Sequence, residues 1–271
     1  MAASPDDNHD EIRHAARSDR GQSRPANEDS LHAAPAPDGK AATHGRIFIV
    51  ADGMGGHAAG EVASALAVST VAERYYAAPV TADADPAPSL TASFLDAHQA
   101  IREDARSHPE RRRMGTTCTA LLLRGGEFWT AHIGDSRAYL FRGGTLRRLT
   151  RDHNLAEELR ERGTLSAGEA AGHPGQHILT RAMGIEEKLE PEIAPRGRPL
   201  EAGDRLLLCS DGLLRPLGEG AIAAALLEPD PETAAQRLID EANAAGGPDN
   251  ISVVLIDWSG ARATAPPRAR R

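Results

Sequence analysis

The residues best suited to chemistry are acidic ones placed where apolar runs stop. Ile47-Phe48-Ile49-Val50-Ala51 leads into Asp52-Gly53-Met54-Gly55-Gly56-His57. Leu206-Leu207-Leu208-Cys209-Ser210 leads into Asp211-Gly212, and Trp129-Thr130-Ala131-His132-Ile133-Gly134 leads into Asp135. Gly246-Gly247-Pro248-Asp249-Asn250 comes just before the apolar stretch 251–256. Taken singly, an Asp-Gly pair is ordinary turn chemistry. A lone carboxylate at the end of a buried strand is costly to ionise, and a bound cation removes that cost. Repeated at several strand ends, the pattern implies one shared acidic site. Oxygen donors suit magnesium or manganese, whereas the lack of HExxH and of a CxxC pair disfavours zinc. A carboxylate bridging two such cations holds them about 3.5–4 Å apart, where they activate a water and neutralise a phosphate oxygen. Asp52 is the natural bridge, because Gly53 behind it leaves backbone room and a free carbonyl. Upstream, Arg24 could clamp a phosphate bidentately, and Glu28 and Asp29 add ligands or water acceptors.

The elements that must position these residues are legible from periodicity and turn residues. Residues 60–76 read as a helix with Val68, Val71 and Tyr75 on one face. A second helix covers 90–107, after an Ala-, Pro- and Asp-rich connection at 77–89. Gly125-Gly126 separates apolar runs at 117–124 and 127–133, and Gly143-Gly144 separates 138–142 from 145–149; both read as antiparallel hairpins. Residues 151–198 are polar, with scattered His, Gly and Pro, and read as a flap or insertion. Strand 205–210, helices 219–227 and 232–245 and a last strand at 250–258 follow. Hairpins in blocks, without regular strand–helix alternation, favour an α+β fold of antiparallel sheets covered by helices. The expected organisation is a disordered leader at 1–17, a domain at 18–258 with its flap within 151–198, and a flexible tail at 259–271.

Composition narrows the possibilities further. The 271 residues suffice for a substantial core, and with 3% aromatics that core must be aliphatic and alanine-based. A net charge of −8 disfavours nucleic acid as a partner, since phosphate neutralisation needs a basic face. The polar, acidic N-terminus offers no apolar stretch for a signal peptide, and no apolar run approaches the roughly 20 residues of a membrane span. The expectation is a soluble, cytoplasmic monomer. Cys118 and Cys209 lie within apolar runs and read as buried free thiols.

With these parts assembled, the chain resembles bacterial members of the metal-dependent serine/threonine protein phosphatases, the type 2C or PPM family. The matching segments are 24–29, 52–64, Met114-Gly115-Thr116-Thr117, Gly134-Asp135-Ser136-Arg137, Cys209-Ser210-Asp211-Gly212-Leu213 and 246–250. Each is weak alone, but the six fall in family order and span residues 18–257. The resemblance implies a β-sandwich of two antiparallel sheets flanked by helices, with metals in a cleft at one edge. Asp52 would bridge two Mn2+ or Mg2+ ions, one of them also held by the Gly53 carbonyl. Asp211 and Asp249 would hold the other ion. Glu28 or Asp29 would act mostly through metal-bound water, and Asp135 with Asp211 would form a weaker third site. Arg24 would bind substrate phosphate, and a metal-activated water would attack phosphorus directly. His57 is the candidate for protonating the leaving serine or threonine oxygen. The implied partners are phosphorylated proteins, including a bacterial serine/threonine kinase and its substrates.

One position departs from the pattern. Where many relatives carry another acidic residue shortly after the Ser210–Leu213 motif, this chain reads Leu214-Arg215-Pro216. Arg215 is expected to weaken metal occupancy nearby or to alter substrate choice. Two rival readings remain. Cys118 with Arg124, and Cys209 with Arg215, match the bare spacing of cysteine-dependent phosphatases, whose chemistry needs a glycine-rich cradle and a depressed thiol pKa; but Thr119, Ala120 and three leucines between the first pair read as a strand, and Asp211 between the second would repel phosphate. A phosphoprotein-binding module that has lost catalysis is the other. Thr116 and Thr117 have no evident base and read as packing at a core edge, and His153, His173 and His177 as loop histidines.

Overall fold

The computed structural model describes residues 12–55 and 59–260. Among them the chain forms β1 (Ile12–Asp19), β2 (Asp29–His32), β3 (Arg46–Met54) and β4 (Gly115–Thr116). Then come β5 (Cys118–Arg124), β6 (Glu127–Ile133), β7 (Arg137–Arg142) and β8 (Thr145–Arg148). β9 (Glu192–Ile193), β10 (Arg198–Pro199), β11 (Asp204–Cys209) and β12 (Ile251–Trp258) complete the strands. They make two antiparallel sheets. One runs β1-β12-β11-β7-β8; the other runs β10-β6-β5-β3-β2, with β4 added to β3 and β9 to β6.

The alternation within single strands explains the layering. Phe48 and Val50 of β3 meet Leu206, Leu208, Val254 and Ile256 between the two sheets. Their neighbours Ile47 and Ile49 point the other way, onto helices Ala59–Ala77 and Ala87–Ser107. On the far side, Leu207, Val253 and Leu255 pack on helix Pro231–Ala244. A strand covered on both faces cannot alternate apolar with polar, which is why β3, β11 and β12 read as continuous apolar runs. The hairpins turn where expected. Gly125 and Gly126 have φ of 59° and 77°, and Gly143 and Gly144 of 55° and 78°, the left-handed pair that a type I′ turn demands.

The leader expected over 1–17 needs correcting. Ile12–Asp19 is β1, paired with β12 in register from Ile12↔Trp258 to Asp19↔Ile251. Its sequence conceals this, because Arg13 and Arg17 are exposed and only Ala15 is deeply buried. The backbone ladder orders it, with Ala15 packed on the helix side and Ile12 and Ala16 against the core between the sheets. Residues 1–11 and 261–271 lie outside the described residues. The second helix begins at Ala87, three residues before the expected start, with Pro88 in its first turn, where a missing N–H costs nothing.

Residues 151–198 carry short helices at Leu155–Glu161 and Ala167–Ala170, a 3-10 turn at Pro174–His177, and β9. A bridge between Thr116 and Met183 and the His153 N–H bond to the Gly134 carbonyl (2.7 Å) tie this segment to the sheet edge. Among the described residues no helix is long and apolar enough to cross a membrane.

Candidate metal centre

The ends of β2, β3, β6, β11 and β12 converge at one edge of the sandwich. Asp52 sits near the end of β3, where its backbone is fixed from three directions. Its N–H donates to Thr117 Oγ1 (2.9 Å), and its carbonyl accepts from the Thr117 N–H and the Thr116 hydroxyl (both 2.9 Å). Thr117 Oγ1 lies 2.7 Å from Ser136 Oγ, which joins the Asp52 strand to the Asp135 loop. The reading of Thr116 and Thr117 as mere edge packing is therefore incomplete: they position Asp52. Gly53 is required for another reason. A Cβ there would meet the Gly60 carbonyl oxygen at 2.1 Å and that of Glu28 at 2.5 Å.

Asp29 is the cross-strand partner of Asp52, a like-charge pairing that ordinarily destabilises a sheet. The Ser210 hydroxyl donates to Asp29 Oδ2 at 2.8 Å. Asp211 opens a helical turn after β11, and Asp249 stands just before β12. Asn250 knits the remainder together. Its Oδ1 accepts from the Glu28 N–H (2.8 Å), while its Nδ2 donates to the carbonyls of Arg20 (2.8 Å) and Ala26 (2.9 Å). The Arg24–Glu28 segment is thereby pinned beside Asp249.

The electrostatics are those of a site with surplus negative charge. Burial, then repulsion from Asp29, Asp211, Asp135 and Asp249, holds the Asp52 carboxyl well above the usual carboxylate range. Burial chiefly, with Asp211 and Asp249 adding to it, pushes Asp29 up to about 7. Asp135 is raised by burial and by Asp211, and Asp211 by burial against the opposing pull of Arg215. Glu28 is raised mainly by burial, with Arg24 opposing.

Two guanidinium groups enter this cluster. Arg24 Nη2 donates to Asp249 Oδ2 at 2.7 Å, with 46% of the Arg24 side chain still exposed. Arg215 reaches both Asp211 and Asp249. Among the described residues, no three Asp, Glu, His or Cys side chains stand ready-made around one ion. The donor set nevertheless fits hard divalent cations. It is all oxygen, its carboxylates outnumber its arginines, and Oδ1 of Asp29 and of Asp211 are buried without a hydrogen-bond partner.

Two adjoining cavities flank the cluster. One of about 240 Å3 is lined by Arg24, Glu28, Asp52, Gly53, Asp211 and Asp249. The other, of about 500 Å3, is bordered by Asp135, Arg137, Asp152, Asp211 and Arg215. Asp135 and Asp211 line both. His177 also lines both, although it read as a loop histidine. No periodicity in the polar 151–198 segment marks it; only the fold brings it to the cleft. His57 lies outside the described residues.

The cysteine alternative does not survive the structure. Cys118 and Cys209 are fully buried within β5 and β11. Burial pushes the Cys209 thiol up to about 12 and raises Cys118 as well, the reverse of what a thiolate nucleophile needs.

Comparison with known proteins agrees with this geometry. The profile of the Protein phosphatase 2C family matches residues 20–241. Serine/threonine protein phosphatase PstP of Mycobacterium tuberculosis is 41% identical over 246 residues, covering 91% of this chain but 45% of that protein. The chain thus spans about half the length of that relative. Serine/threonine phosphatase stp of Listeria welshimeri is 37% identical over 243 residues, covering 89% of this chain and 94% of the Listeria protein. The crystal structure of the PstP catalytic domain in complex with two manganese ions superposes with a TM-score of 0.79 at 39% identity, covering 92% of this chain and 99% of that one. The sandwich architecture, the order of the acidic strand ends and these likenesses place this chain in the protein phosphatase 2C family.

Proposed function

We propose that the protein removes phosphate from phosphoserine and phosphothreonine in proteins, using two Mn2+ or Mg2+ ions held by Asp52, the Gly53 carbonyl, Asp211 and Asp249. The observation that carries this reading is the surplus of carboxylates over guanidinium groups at one sheet edge, with Oδ1 of Asp29 and Asp211 unpartnered. Bound there, the ions supply an activated water for attack on phosphorus and neutralise the phosphoryl oxygens. Asp135 with Asp211 is assigned to a third, weaker site, and Glu28 and Asp29 to positions reached through water.

The chain's own residues have separate tasks. Thr116 and Thr117 lock the Asp52 backbone, so that its carboxylate enters the cleft from a rigid strand. Arg24 binds substrate phosphate. Asp249 takes one of its nitrogens, and this fixes the guanidinium plane while leaving other N–H groups free for phosphate. Asn250 holds the Arg24 loop in place from the β12 side. His57 is assigned the proton that the leaving alkoxide must take up. Its loss should slow turnover of a phosphoseryl peptide, but hardly that of p-nitrophenyl phosphate, whose leaving group needs no proton.

The deciding experiment is phosphopeptide turnover with manganese and then with excess chelator. Activity should disappear with chelator and return on adding manganese. Full activity in chelator overturns the proposal, and no turnover with manganese bound favours a binding module instead. Arg24→Ala should mainly raise KM, since it removes a phosphate contact. A bacterial serine/threonine kinase is the proposed counterpart, with a monomer working in the cytoplasm.

A further inference from the structure

Arg215 occupies a position that ordinary ion pairing does not explain. It follows the turn Asp211–Leu214, and its Nε and Nη2 lie 2.9 and 2.5 Å from Asp211 Oδ2. Its Nη1 lies 2.9 Å from Asp249 Oδ2. An i,i+4 pair on an exposed helix uses one carboxylate and contributes a few tenths of a kcal/mol. Here a single guanidinium joins two carboxylates from different strand ends, with 30% of its side chain exposed. These are the two carboxylates assigned to one cation of the metal pair.

We propose that Arg215 is a built-in cation that competes with the metal for Asp211 and Asp249, so that metal entry requires the guanidinium to leave. This inference rests on the reading of the cleft as a divalent-metal centre. The chemistry is charge replacement: an ion entering between these carboxylates meets a +1 group already placed there, and the site cannot hold both at contact distance. The guanidinium has somewhere to go. Arg215 lines the cavity of about 500 Å3 as well as the smaller one, so a rotation of its side chain leads into that space. The two carboxylates are not equally dependent on it. Asp249 keeps Arg24 when Arg215 departs, whereas Asp211 loses its only ion pair among the described residues. Arg215 therefore stabilises the cleft when no metal fills it and raises the metal concentration needed to fill it.

The test is manganese binding to wild type, Arg215→Gln and Arg215→Lys, by calorimetry and by the electron paramagnetic resonance of free Mn2+. Thermal unfolding in chelator is measured alongside. Arg215→Gln should bind one manganese roughly 10–100-fold more tightly, the scale of effects from groups around a metal site. It should unfold at a lower temperature in chelator, and this deficit should vanish at saturating manganese. Arg215→Lys, which keeps the charge but loses the fork, should fall between. If Arg215→Gln does not fold in chelator, it is prepared with manganese and its affinity is read by competition against a chelator of known strength. Equal or weaker binding by Arg215→Gln overturns the inference while leaving the metal centre intact. Failure of wild type and Arg215→Gln alike to bind manganese removes both readings.

Discussion

The two ends of the β11–β12 pair bury acidic residues in opposite ways. At one end, Arg205 and Asp257 are cross-strand partners and meet bidentately at 2.6 and 3.1 Å. Arg205 Nη1 also donates to the carbonyl of Leu226 at 2.7 Å. Beside it, Arg142 grips Asp204 at 2.7 and 2.6 Å. There the carboxylates of Glu201, Asp204 and Asp257 are met by Arg13, Arg142 and Arg205, so the charges are matched. At the other end, Asp29, Asp52, Asp135, Asp211 and Asp249 crowd together, with Arg24 and Arg215 the only guanidinium groups ion-paired to them among the described residues. Burial of acid is common to both ends; only the second leaves negative charge unmatched. A charge-matched network organises a fold, and a surplus of carboxylate organises a place for a cation.

The largest expected effect comes from removing the surplus. Asp52→Asn keeps the shape of the side chain and deletes the charge that four neighbours repel. Phosphopeptide turnover should fall by more than about 100-fold, beyond the upper end of what outer partners of a metal site cost. In chelator its melting temperature should equal or exceed that of wild type, because like charges no longer face one another. A marked loss of stability in chelator would show that Asp52 is structural after all, and would erase the contrast between the two ends. The mirror experiment is Arg205→Ala. Asp257 keeps Arg13, so the loss of Arg205 should cost about 3 kcal/mol, the low end for breaking a buried pair, seen as a fall in melting temperature of about 2–4 °C for each kcal/mol. The kcat of the folded protein should be unchanged. A catalytic defect without a stability defect would reverse the assignment.

This contrast also marks what the sequence could disclose. The acidic strand ends were legible because a long apolar run makes the first Asp after it conspicuous, as at Val50-Ala51-Asp52 and Leu208-Cys209-Ser210-Asp211. The sandwich was legible from the same runs and from the two Gly-Gly hairpins. β1 was not, because its apolar contacts come only from Ile12, Ala15 and Ala16 among Arg and His residues, and its pairing with β12 is a backbone ladder that sequence does not show. Nor were the tasks of Thr116, Thr117 and Asn250, which depend on side chains meeting backbone groups far away in sequence. His177 and the double contact of Arg215 belong to the same class: their chemistry arises only where loops from distant segments share a cavity.

A third mode of burial sharpens the comparison. His132 on β6 is neither paired with a charge of its own nor part of the surplus. Its Nε2 donates to the Arg151 carbonyl at 2.8 Å, so Nδ1 accepts from the Thr119 hydroxyl at 2.9 Å. Burial first, then the His153 ring with its centroid 4.8 Å away, depresses its pKa from 6.5 to about 3. Between those values the unfolded chain binds a proton that the folded protein refuses, so stability rises with pH across the window and is lost as pH falls. The slope is at most about 1.4 kcal/mol per pH unit. The raised cleft carboxylates act with the opposite sign, since the folded state keeps protons there that the unfolded chain has released. Saturating manganese should hold that contribution aside while unfolding is followed by denaturant from pH 7 to pH 5. Relative to His132→Gln, wild type should lose about 2 kcal/mol by pH 5. Because His153 takes part in the depression, the difference reports the tilted ring pair. Parallel stability curves for the two proteins would mean that His132 is protonated within the fold, and burial alone would then no longer separate neutral groups from the charged ones at either end of β11–β12.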